Sequence, residues 1–178
     1  LRLSQLHGAD GAVILVTGGD LRDNSSGEDA NLLLTTGTLP VDARRLGSAT
    51  DDFDLAVAQI ASLVATEQSL TVMGLNLSSA RSATLGVLDA QGHAVFQQTT
   101  GDLTLTRSVR SHRLDLGVEA GHLTQATGAS LTVDTDLDLR VSGDISLVGM
   151  TSLAGDIRLL AGGAILDATS TERALLTT

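Results

Sequence analysis

The chain has 178 residues, 42% of them hydrophobic, and a formal net charge of −10; it contains 32 Leu and 19 Gly but no Cys, Lys, Trp or Tyr. Without Cys there is no disulfide framework, no thiolate metal site and no Cys nucleophile, and the acidic balance disfavours nucleic acid and anionic lipid as partners. No apolar run approaches the ~20 residues of a membrane span, and the core must be built from Leu, Val, Ile and Ala, because Phe53 and Phe96 are the only aromatic residues.

The first nineteen residues have a counterpart at 145–163. At a shift of 144, Leu3 meets Leu147, Gly11 meets Gly155, Leu15 meets Leu159, and Gly18-Gly19 meet Gly162-Gly163. A polar stretch follows in both places, and after a two-residue gap Leu33-Leu34-Thr35-Thr36 meets Leu175-Leu176-Thr177-Thr178. Self-similarity of this kind signals a tandem repeat. The expected organisation is one continuous segment over 1–178, made of one long repeat (1–144) and the start of the next copy (145–178), and the chain reads as a window from a longer array.

Residues 52–65 are ambiguous. Apolar residues at 53, 56, 57, 60, 63 and 64 have helical spacing, with Asp51 or Asp52 as an N-cap, whereas Phe53, Leu55 and Val57 alternate as in a strand. A helix would interrupt a stack of strands, so strands are expected.

From residue 101 onward the rhythm is regular. Gly-Asp followed by an alternating apolar strand occurs at Gly101-Asp102-Leu103-Thr104-Leu105, at Gly143-Asp144-Ile145-Ser146-Leu147 and at Gly155-Asp156-Ile157-Arg158-Leu159. Period-two alternation marks half-buried strands, and Gly and Asp suit the corners between them. Short strands at regular spacing fit a sandwich, a barrel or a solenoid. The tandem repeat, the scarcity of hairpin signals and the aliphatic core favour the solenoid. The expected fold class is all-β, a parallel β-helix with coils of ~20–24 residues, about seven to nine coils in all.

The Gly-Asp-[Leu/Ile]-x-Leu rungs, the run Leu159-Leu160-Ala161-Gly162-Gly163-Ala164-Ile165, and the tract from Arg45 to Leu55 through Leu70-Thr71-Val72 resemble the filamentous haemagglutinin-like giant repeat adhesins of Gram-negative bacteria. The resemblance implies a right-handed parallel β-helix, two-partner secretion, a secreted or cell-surface location, and work as an adhesin, a biofilm-matrix fibre or a toxin-carrying stalk. A chain without Cys suits export through an oxidising compartment.

The candidate chemistry is sparse. Asp134, Asp136 and Asp138 alternate, so on a strand they share one face and offer carboxylate oxygens to Ca²⁺. The competing reading is a solvated outer face that keeps a fibre soluble. The acidic groups Asp51-Asp52-Asp54 and Glu28-Asp29 imitate an acid/base pair for polysaccharide cleavage, but no Trp or Tyr is present to stack a sugar ring, and no enzyme is expected. His7, His93, His112 and His122 have no metal-ligand spacing. Gly18-Gly19-Asp20 lacks the Lys of a phosphate loop, and no cofactor is expected.

Two function classes follow. One is a structural stalk whose partners are adjacent repeats and other copies in a fibre. The other is a module that binds carbohydrate or a receptor, such as host-cell or matrix glycans, through a flat Thr-rich face that includes Thr104 and Thr106. A polysaccharide-active enzyme is a third and lesser reading. Exposed coil edges make an isolated segment prone to aggregate.

Overall fold

The computed structural model describes residues 1–8, 11–24, 32–34, 38–48, 50–66, 70–74, 82–169 and 176–177, with backbone alone for 32–34, 70–74 and 176–177. Every regular element among them is a strand, and every strand pairing is parallel. One lone antiparallel bridge joins Ser48 to Asp51. The protein is a parallel β-solenoid.

Each coil runs along three faces. In the clearest coil, Leu103–Leu105 forms the first face, and Ser108–Val118 bends to supply the second and third. The next coil repeats the order with Leu123–Gln125, Ser130–Val133 and Leu137–Val141. Successive coils lie in register, so side chains stack in columns. On the second face Leu15, Val41, Leu63, Leu88, Val109, Leu131, Met150 and Leu176 occupy one column of eight positions. On the third face Phe53, Val72, Phe96, Leu116, Leu139 and Leu159 occupy another.

The described side chains of these columns belong to the core, with those of the first face such as Leu85, Leu103 and Leu123. Leu63, Leu88 and Val109 are fully buried, and so are Phe53 and Phe96. Burying one such side chain stabilises the fold by about 1.5–3 kcal/mol. Both aromatic residues thus fall in one column, separated by the Val72 position, and the other hydrophobic core residues are aliphatic apart from Met150.

Coil length varies more than the sequence suggests. The step is 19 residues from Leu131 to Met150 and 26 from Leu15 to Val41. The variation lies at the corners, where the register of the long strands also shifts, as between Ser111 and Arg113. The 144-residue sequence correspondence is not a coil register: Leu15 stands on the second face and Leu159 on the third.

Residues 52–65 form two strands, Phe53–Val57 and Gln59–Ala65. Every residue of Phe53–Val57 is buried, and along Gln59–Ala65 the buried positions are 60, 63 and 65. Steps of two belong to straight strand and steps of three to the corners, and mixing them mimics helical spacing.

The corner before the first face is a column of glycines. A Cβ on Gly121 would lie 2.2 Å from the Gly101 carbonyl oxygen, and one on Gly143 2.6 Å from the Gly121 oxygen. Backbone hydrogen bonds climb this column from Gly143 N to Gly121 O (2.9 Å) and from Gly163 N to Gly143 O (3.0 Å). The next residue of each corner adds a side-chain ladder. The Asp102 carboxylate accepts the His122 N–H at 2.9 Å, His122 Nδ1 accepts the Asp144 N–H at 2.9 Å, and the Asp144 carboxylate accepts the Ala164 N–H at 2.7 Å.

Candidate functional site

The third face carries a cluster of opposite charges, Arg113, Asp115, Asp138, Arg140 and Arg158. Along Ser108–Val118, Leu114, Leu116 and Val118 point inward and are buried, which turns Arg113, Asp115 and Gly117 outward. Parallel register then builds two outward columns. One is Val95, Asp115, Asp138 and Arg158; the other is Gln97, Gly117, Arg140 and Leu160.

Charge alternates across these columns. Arg140 grips Asp138 through two hydrogen bonds of 3.1 and 2.7 Å, and Arg158 approaches the same carboxylate at 3.8 Å. The Arg140 hydrogen bond holds the Asp138 carboxyl below its usual range of about 3.8, outweighing the opposing effect of partial burial. Asp115 is contacted by His93 at 2.9 Å and by Arg113 at 3.5 Å. At the other end of the molecule Asp20 is held in the same way by Arg22 and Arg44, at 2.7 and 2.8 Å, and its carboxyl is also lowered.

Gly117 interrupts the second outward column. A Cβ there would meet the Gln97 carboxamide oxygen at 2.0 Å, so the Gln97 side chain lies over the glycine. Gln97 in turn donates from Nε2 to a Glu119 carboxylate oxygen at 3.1 Å. Two adjoining cavities open on this surface. The larger, about 440 Å³, is lined by residues that include Gln97, Glu119, Arg140, Ser142, Leu160 and Gly162. The smaller, about 270 Å³, shares Gln97 and Arg140 and adds Val95, Asp115, Gly117 and Asp138.

The Asp134, Asp136 and Asp138 triad does not form as the alternation suggests. A corner separates Ser130–Val133 from Leu137–Val141, so Asp134 and Asp136 stand on the bend and only Asp138 on a strand. Their contacts diverge accordingly. Asp134 approaches His112 at 3.6 Å, Asp136 accepts the Asp156 N–H at 3.1 Å, and Asp138 binds Arg140. Among the described residues no group of three His, Asp or Glu is placed to hold a metal ion.

Of the acidic groups suggestive of polysaccharide cleavage, Glu28 and Asp29 lie outside the described residues. Asp51 is exposed while Asp54 is buried, so these two do not open onto a common surface. His93, His112 and His122 each stand beside an aspartate of the following coil, and His7 is exposed. His122 Nδ1 accepts the Asp144 N–H and also stands 3.4 Å from the Asp144 carboxylate. Thr104 belongs to an outward hydroxyl column with Thr84, Thr124 and Ser146. Thr106 instead donates to the Leu85 carbonyl at 3.2 Å and ties two coils together.

Gln97, Gly117, Glu119 and Arg140 do not stand out in the sequence. The one available signal is Gly117, a glycine at an outward position of a strand, where such residues mark a dent or a close approach. Comparison of the chain with protein-family models, with curated proteins and with solved structures finds no match in any of the three.

Proposed function

We propose that this protein is a structural repeat segment of a secreted or cell-surface bacterial fibre, an elongated stalk that serves adhesion or a biofilm matrix, of the adhesin type its rungs resemble. It acts by setting length and stiffness and not by catalysis. The observation that carries this reading is the set of unbroken inward columns. The second-face column from Leu15 to Met150 spans six coil steps, or about 29 Å at ~4.8 Å per step. Such a stack is held by backbone hydrogen bonds along its whole length and resists bending.

The test is location together with shape. Antibodies raised against this chain should label the surface or the medium of intact producing cells, and electron microscopy should show extended fibres on them. Label confined to the cytoplasm, or a compact globular particle, would contradict the reading.

A further inference from the structure

We propose that the trough formed by the two cavities on the third face is a binding site for a neutral saccharide. At about 440 Å³ the larger cavity is within the usual range of small-molecule sites, and the smaller one of about 270 Å³ continues it past Gln97 and Arg140.

The groups that point to a ligand are those left over after the internal hydrogen bonds are made. Gln97 and Glu119 fix each other through one bond at 3.1 Å, and Asp138 fixes Arg140 through Nε and one Nη. Each side chain therefore keeps its orientation and still has capacity. Gln97 retains its amide oxygen and one N–H, Glu119 its second carboxylate oxygen, and Arg140 its other Nη group. Donors and acceptors thus stand side by side on the walls, which is what a vicinal pair of hydroxyls needs. Leu160, 53% exposed, adds an aliphatic surface for the C–H face of a sugar ring.

Charge selects the class. Asp115, Asp138 and Glu119 on the walls, in a chain of net charge −10, repel an anionic ligand. Arg140, which lines both cavities, with Arg113 and Arg158 paired to the wall carboxylates Asp115 and Asp138, repels a cationic one. A neutral polyol meets neither penalty. Gly117 is what lets Gln97 lie flat along the wall, because any side chain at that position displaces it.

The experiment is a panel of neutral and acidic oligosaccharides on an array, followed by titration of any binder against the full chain. Two variants accompany it. Gly117→Val pushes Gln97 off the wall, and Glu119→Ala removes an acceptor from an exposed position where folding is not at stake. Saturable binding of a neutral oligosaccharide, weakened about tenfold or more by Glu119→Ala and by a folded Gly117→Val, is the expected result. Binding of acidic sugars alone, binding unchanged by Glu119→Ala, or no binding at all overturns the proposal. None of these outcomes touches the stalk, which depends on the inward columns and is tested by location and shape.

Discussion

Gln125 shows how a single inward polar residue is accommodated in an otherwise aliphatic column. It stacks on Leu105 and is buried, yet all of its hydrogen bonds go to the backbone of a corner. Nε2 donates to Ala129 O and Gly149 O at 3.0 and 2.9 Å, and Oε1 accepts from Val148 N and Gly149 N at 3.0 and 3.1 Å. Gln125→Leu keeps the volume but strands these backbone groups, and urea denaturation should show a loss of about 2–4 kcal/mol. Asp138 gives a prediction in pH. Its folded-state pKa is depressed, so its contribution to stability is complete above the ordinary value of 3.8 and is lost as the pH falls below it. In Asp138→Asn that acid-dependent loss should be absent, and the stability gap between wild type and variant should be wide at pH 7 and narrow at pH 3. Neither role was legible in the sequence. Gln125 stands in an ordinary strand pattern, and Asp138 looked like one of three equivalent carboxylates until a corner separated it from the other two.

At the scale of the element, the Gly-Asp rung was the most legible feature. Glycine precedes the first-face strand in several successive coils because the corner brings backbones too close for a Cβ, and the following Asp or His side chain accepts an N–H from the coil above. Gly121→Ala should therefore destabilise by about 1–3 kcal/mol, read from the denaturant midpoint, by pushing against the Gly101 carbonyl. Gly128→Ala is a comparison of different origin, since φ at Gly128 is +85° and nothing crowds the site. Corners also explain where the sequence misled. They insert an extra residue between inward positions, which made 52–65 look helical and made Asp134 and Asp136 look like members of a strand. Alternation identifies strands well and does not reveal where a strand turns.

For the molecule as a whole, the architecture was readable because the coils from Gly101 onward repeat the same two constraints, a mostly aliphatic inside and a tight corner. The trough was not readable, because it depends on which outward residues become neighbours one coil apart. Gln97, Gly117, Arg140 and Leu160 are spread over more than sixty residues of sequence and meet only through the parallel register. That register can be measured directly, since the chain has no Cys of its own and engineered pairs have no background. Thr104 and Thr124 face outward and are direct partners on neighbouring strands. At the ~4.8 Å spacing of paired strands they are within the ~4.4–6.8 Å that a disulfide spans. Thr104→Cys/Thr124→Cys should oxidise to an intramolecular disulfide, while Thr104→Cys/Arg110→Cys, whose members stand on different faces, should stay reduced. Closure of the second pair with the first left reduced would mean that these strands fold back as hairpins, and would contradict the stacked parallel coils on which the fold and the stalk both rest.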